Sequence, residues 1–109
     1  MENILVTTAN NLEGYFITKQ LGVIRGLTVR SRSIFGTIAG QLQSLAGGEL
    51  SIYLELCEKA RNEAYNHMLE HAAAVGANAI VAMRYDANEV DNHITEVLAY
   101  GTAVFVEQL

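Results

Sequence analysis

The period of the apolar positions changes several times along the chain, and each change marks an element. Ile4 to Thr8 has the short β-prone pattern of a strand, and Asn10-Asn11 with Gly14 supplies turn chemistry. Tyr15 to Val29 is a longer β-prone run interrupted by Gly22 and Gly26. Glycine inside a strand pattern marks a bulge or bend. The run therefore predicts one bent strand, or two strands joined by a kink.

Helical periods follow. Ser33 is a suitable N-cap, and Ile34, Phe35, Ile38, Leu42 and Leu45 recur at helical spacing before Gly47-Gly48 stops them. Gly36 and Gly40 each weaken that short helix by about 1 kcal/mol relative to alanine, so it needs a packing partner. Leu50 to Val75 is the clearest element. Tyr53, Cys57, Ala60, Ala64, Met68, Ala72 and Val75 recur every three or four residues and share a face with Leu50 and Leu54. Glu55, Lys59, Asn62 and Asn66 occupy the opposite face. The prediction is an amphipathic helix with a small-residue stripe along which another backbone can approach closely. Gly76 is placed to end it.

The pattern then returns to strand. Ala79 to Tyr85 is apolar on both faces, Asp86 to Asn92 reads as a polar hairpin connection, and Ile94 to Val106 forms the last strand. A sheet that is apolar on both faces needs two covers. The long helix covers one face. The short helix, a neighbouring subunit, or both must cover the other.

Composition sharpens that point. Half of the 109 residues are hydrophobic and 17% are charged, against about 25% charged in an average domain. Residues 1–109 make one domain, whose apolar content exceeds what a small core hides. The expected outlet is an interface with copies of itself. A net charge of −5 argues against nucleic acid. No apolar run approaches the ~18 residues needed to span a bilayer, and the N-terminus lacks the basic start of a signal peptide. The expected location is cytoplasmic, with no membrane partner. One cysteine, Cys57, allows no internal disulfide.

A resemblance adds to this reading. Thr7-Thr8, Glu13-Gly14, Gly22-Val23 and Gly26 lead to Val29-Arg30-Ser31-Arg32-Ser33, then Gly47-Gly48-Glu49, Tyr53 and Ala60-Arg61. Gly76-Ala77-Asn78-Ala79-Ile80-Val81, Tyr85-Asp86 and Tyr100-Gly101-Thr102-Ala103-Val104 complete the series. This order and spacing, over nearly the whole chain, resembles the YbjQ family, whose members carry a heavy-metal-binding label. The resemblance implies an α+β subunit with a small antiparallel sheet, one long and one short helix, and a layout similar to dodecin subunits. It also implies a ring-shaped homo-oligomer, a pentamer. It brings no ligand motif.

Candidate chemistry is sparse. His67 and His71 stand one helical turn apart, a spacing that can chelate a divalent metal such as zinc, with Glu63 or Glu70 adding an oxygen. No His-Glu-x-x-His motif is present. A metal site needs three or four ligands, so we expect partly buried histidines at a subunit contact. Cys57 lies on the apolar face and is expected to be packed rather than a metal ligand. Asp86, Glu89, Asp91 and His93 crowd the expected hairpin connection; their spacing does not match an EF-hand, and a solvated turn is expected.

Arg61 falls inside the apolar arc and must find acceptors. A structural ion pair is expected, with Asp86 as the first candidate partner and Glu96 or Glu13 as others. The sharper reading makes Arg61 an anion-binding residue between subunits. Arg30, Arg32 and Ser33 open the short helix, where free N–H groups and the helix dipole favour a small anion; strand-end arginines at an exposed cap are the expected reading and the anion site is the alternative. Nucleotide-binding glycine fingerprints are absent, and so is any supported Ser-His-Asp or Cys-His arrangement. An enzyme is not expected, and no cofactor is called for. The leading expectation is an oligomeric binding module that holds a small anion, metabolite or metal at subunit interfaces. The alternatives are a scaffolding ring that docks a protein partner and a metal-sequestering protein.

Overall fold

The computed structural model describes residues 3–31, 49–91 and 94–109. The helix expected from Ser33 lies outside those residues, as do Arg32 and His93. Among the described residues the elements are β1 (Leu5–Val6), β2 (Tyr15–Ser31), α1 (Glu49–Ala74), β3 (Ala79–Asp91) and β4 (Ile94–Gln108). The strands form one sheet in the order β1-β3-β4-β2.

The sheet is mixed, not antiparallel as expected. β2 and β3 each run antiparallel to β4, but β1 pairs parallel with β3 through Leu5 and Val6. The cause is the return of the chain. β1 and β2 run in the same direction on opposite edges of the sheet, so residues 10–14 must cross a face to join them. Leu12 packs on that face against Ala79, Val81, Val104 and Val106.

The second correction concerns residues 86–92. β3 does not end at Tyr85. It stays paired with β4 from Arg84↔Tyr100 through Asp91↔Ile94. Polar residues suit this stretch because it lies beyond the cover of α1. Asp86 takes hydrogen bonds from the Ala87 amide (3.0 Å) and the Asn88 side-chain amide (3.1 Å).

β2 is a single strand with register shifts between Ile17/Lys19 and Gln20/Gly22, and Gly22 has φ 101°. Gly26 has a different role. A Cβ there would lie 2.1 Å from the Ala64 carbonyl oxygen and 2.2 Å from the Met68 nitrogen. The small-residue stripe of α1 thus meets the backbone of β2 directly. Ala60, Ala64, Met68 and Ala72 form the buried row, spaced four residues apart. Cys57 falls off that row and is exposed, contrary to its expected packing.

α1 ends as its glycine predicts. Gly76 adopts φ 85°, its amide bonds Ala73 O at 3.1 Å, and the Ala77 amide bonds Ala72 O at 3.0 Å, a Schellman cap. Asn78 then acts as a rung of the sheet. Its side chain donates to Val106 O (2.9 Å) and accepts from the Val106 amide (2.8 Å).

These contacts divide the sheet into a base and an arm. At the base, Ile80 and Ala103 face α1 in the main core, while Ala79, Val81, Val104 and Val106 pack under Leu12, Tyr15 and Ile17 on the other face. The arm comprises β2 from Val23, β3 from Arg84 and β4 up to Thr102. Ile24, Gly26 and Thr28 are buried beneath α1. Alternation sends Val23, Leu27 and Val29 to the opposite face, where they are exposed by 69%, 40% and 54%. Leu98, paired with Leu27, shares that face.

Candidate functional site

Two groups of chemistry-bearing side chains lie where α1 meets the arm. The first follows the outer edge of β2. Glu63 forms an ion pair with Arg30 through both carboxylate oxygens. Thr28 Oγ1 donates to Glu63 at 3.3 Å and accepts from Arg30 at 3.0 Å. The hydrogen bond from Arg30 holds the Glu63 carboxyl below the usual carboxylate range, and the same bond raises the guanidinium. His67 Nδ1 lies 2.7 Å from Leu27 O. His71 Nδ1 accepts from the Arg25 amide at 3.1 Å and lies 3.3 Å from Arg25 O.

The second group lies between α1 and β3. α1 lies over β2 and β4 and barely reaches β3. The Arg61 guanidinium sits 5.0 Å from the centroid of the Tyr85 ring, a cation–π contact. Arg61 therefore stacks on the residue beside Asp86 instead of pairing with Asp86. The reason is strand alternation: Tyr85, paired with the buried Ala99, lies on the α1 face, and Asp86, paired with Leu98, lies on the other. Desolvation pushes the Tyr85 hydroxyl up, and Tyr65 raises it further, while Arg61 acts in the opposite sense. Leu54 (64% exposed) and Cys57 are exposed on the preceding turns of α1.

The expected site residues are thus separated. His67 and His71 share the β2 edge with Arg30, and Arg30 is engaged by Glu63. Arg61 lies toward β3. Glu63, expected at most as an oxygen donor beside the histidines, instead pairs with Arg30, a contact between helix and strand that the sequence spacing does not signal.

A family model described as "putative heavy-metal-binding" matches residues 4–107. The chain belongs to the YbjQ family. A relative from Chromobacterium violaceum is 57% identical over 105 residues, covering 96% of this chain and 90% of its own length. Another, from Solibacter usitatus, is 52% identical over 101 residues, covering 93% and 90%. Both are named UPF0145 protein, a name that states no activity. A crystal structure of a protein of unknown function from Pediococcus pentosaceus, of the DUF74 family, matches with a TM-score of 0.62. It is 18% identical and covers 97% of this chain and 100% of that one, a likeness of fold alone.

The family description can be set against the residues of this YbjQ chain. Among the described residues no three His, Cys, Asp or Glu side chains converge on one point. Outside the described residues, Glu2 and His93 are of those residue types. Both imidazoles face the β2 backbone through Nδ1, which leaves Nε2 as the ring atom that a metal would use. The described donors of one YbjQ subunit do not make up a heavy-metal site. Among the described residues no helix is long and apolar enough to cross a membrane.

Proposed function

We propose that this YbjQ chain is a homo-oligomeric binding module. Its subunits cover one another's arms and hold a small anion, metabolite or metal ion where they meet. The carrying observation is the arm's far face. The same sheet that is covered on both sides at its base has Val23, Leu27 and Val29 in the arm, which no described residue covers. Elongation supports the reading. The radius of gyration is 17.1 Å, with extents of 56 × 28 × 21 Å, where a compact chain of this length would have roughly 13 Å. A second copy is the natural cover, because the apolar excess belongs to every copy alike. The ring form and the count of five rest on the family resemblance.

Arg61 is the ligand candidate this reading favours. Its guanidinium is exposed on the Tyr85 ring, and among the described residues its N–H donors bond no acceptor, which suits an anion brought near by a neighbouring subunit. Arg30 is a weaker candidate, since Glu63 occupies it; Arg32 and Ser33 lie outside the described residues. Cys57 could meet a metal only together with donors from another subunit. Nothing in the described residues gathers a nucleophile, a base and an oxyanion site, so the reading is not enzymatic.

Native mass spectrometry of untagged protein tests this proposal. The expected result is a multimer of the 11.9 kDa chain with a retained small mass that Arg61→Ala removes while the multimer persists. A multimer with no retained mass would leave the scaffolding reading. Metal that stays through chelation would favour sequestration. A folded monomer at micromolar concentration would overturn the proposal.

A further inference from the structure

We propose that Glu63, His67 and His71 form a side-chain ladder that closes the outer edge of β2 against strand addition by another chain. β2 is an outer strand of the sheet. An outer strand presents a row of backbone donors and acceptors that templates pairing with any extended segment, including one from a second copy. Between Arg25 and Val29 one group of each outward-facing residue is taken. The Arg25 amide donates to His71 Nδ1. Leu27 O accepts from His67 Nδ1, which must carry the proton because a carbonyl can only accept. Val29 O accepts from Arg30 Nη1 at 3.2 Å, and Glu63 holds the other end of that guanidinium.

The spacing follows from the geometry of the two elements. Helix positions 63, 67 and 71 match strand positions 29, 27 and 25, so α1 runs antiparallel to β2. Four helical residues rise about 6.0 Å, and two strand residues rise about 6.7 Å. The mismatch per rung is small enough for side chains to absorb over three rungs. α1 thereby substitutes for a neighbouring strand. The i, i+4 histidine spacing that suggests a chelate is the spacing such a ladder requires.

The ladder also constrains a tautomer. His67 carries its proton on Nδ1 and leaves Nε2 bare. His71 Nδ1 lies 3.1 Å from the Arg25 amide nitrogen and 3.3 Å from Arg25 O, so it meets the same strand residue in either tautomer. This inference concerns one edge of a single subunit and stands independently of the proposed ligand.

Two measurements on the full chain test it. Nitrogen-15 NMR of the imidazoles at about pH 8, where free imidazole is neutral, should show Nδ1–H at His67. Nε2–H at His67 would overturn the ladder. Amide exchange at Arg25 should speed up about tenfold in His71→Ala and return toward wild type in His71→Gln, whose carbonyl can accept. Gly26, on the helix side, should change little. Unchanged Arg25 exchange in His71→Ala would overturn the bond. The closing role is read from H67A/H71A, which should add mass beyond the wild-type assembly as concentration rises. If that variant folds and keeps the wild-type mass, edge closure is wrong. If it fails to fold, the His67 tautomer and the His71→Gln comparison still decide the ladder.

Discussion

The base and the arm of the sheet share three strands yet are finished differently. At the base, Ile80 and Val104, both 0% exposed, point to opposite faces, and each meets a cover from the same chain. In the arm, Ile24 lies 1% exposed under α1, while its neighbour Val23 is 69% exposed on the other face. Residues 10–14 cross only the base. The chain completes one end of its sheet by itself and leaves at the other end a face, carrying Val23, Leu27, Val29 and Leu98 beside Arg25, Asp86 and Glu96, that nothing among the described residues covers. Where a small chain stops covering its own sheet, a copy of itself is the simplest physical completion.

The largest effect is expected where the two regions are joined by close approach. Gly26→Ala places a methyl group on the backbone of α1. The helix must lift from the strand, and stability should fall by about 3 kcal/mol or more, at the upper end of overpacking costs. Chemical denaturation followed by circular dichroism measures this. A cost under about 1 kcal/mol would mean that helix and strand sit farther apart than described.

A matched pair of substitutions sharpens the contrast between base and arm. Val104→Ala removes fully buried methyl groups and should cost about 2 kcal/mol at any protein concentration. Val29→Ala, at a residue 54% exposed, should cost about 0.5 kcal/mol or less when the protein is dilute. Its cost should grow with concentration if the proposed assembly buries it. Equal costs at all concentrations would erase the distinction.

The smallest effect concerns the acid side of the edge. Glu63 titrates below the ordinary carboxylate range, chiefly through the Arg30 hydrogen bond. Its contribution is therefore fully present above the unfolded carboxylate value and is lost as pH falls through the lower folded value. The pair is partly exposed, at 25% and 36%, so solvent screens it and the change in stability should be slight. A carboxyl NMR titration should place Glu63 below the other glutamates, and Arg30→Ala should return it to the ordinary range. An unmoved midpoint would remove Arg30 as the cause.

The parts of the fold that were legible in the sequence were those where local pattern and burial agree. The helix expected over Leu50–Val75 is observed as Glu49–Ala74, and Gly76 ends it as expected. The strands fail where that agreement ends. Asp86, Asn88 and Glu89 read as a connection because strand propensity reflects a half-buried surface, and the arm offers none to β3 within one subunit. Gly22 marked a bulge as its pattern suggested. Gly26 could not be distinguished from it by sequence, since close approach to a helix and a kink both call for glycine. The parallel pairing of β1 was illegible because two residues carry no sign of strand direction. For the site, the histidine spacing was visible, but its partners are backbone atoms of β2, which no residue type announces. Arg61 was placed near its observed neighbours, yet its acceptor proved to be the Tyr85 ring rather than the adjoining carboxylate.

The central claim, that copies of this chain cover the bare face of the arm, is tested most directly by sedimentation of wild type and Leu27→Glu side by side. Leu27 is 40% exposed on that face, and a charge there leaves the subunit's own core untouched. The account predicts a multimer of the 11.9 kDa chain for wild type and a smaller, still folded species for Leu27→Glu. Two multimers of equal mass, or a folded wild-type monomer at micromolar concentration, would contradict it.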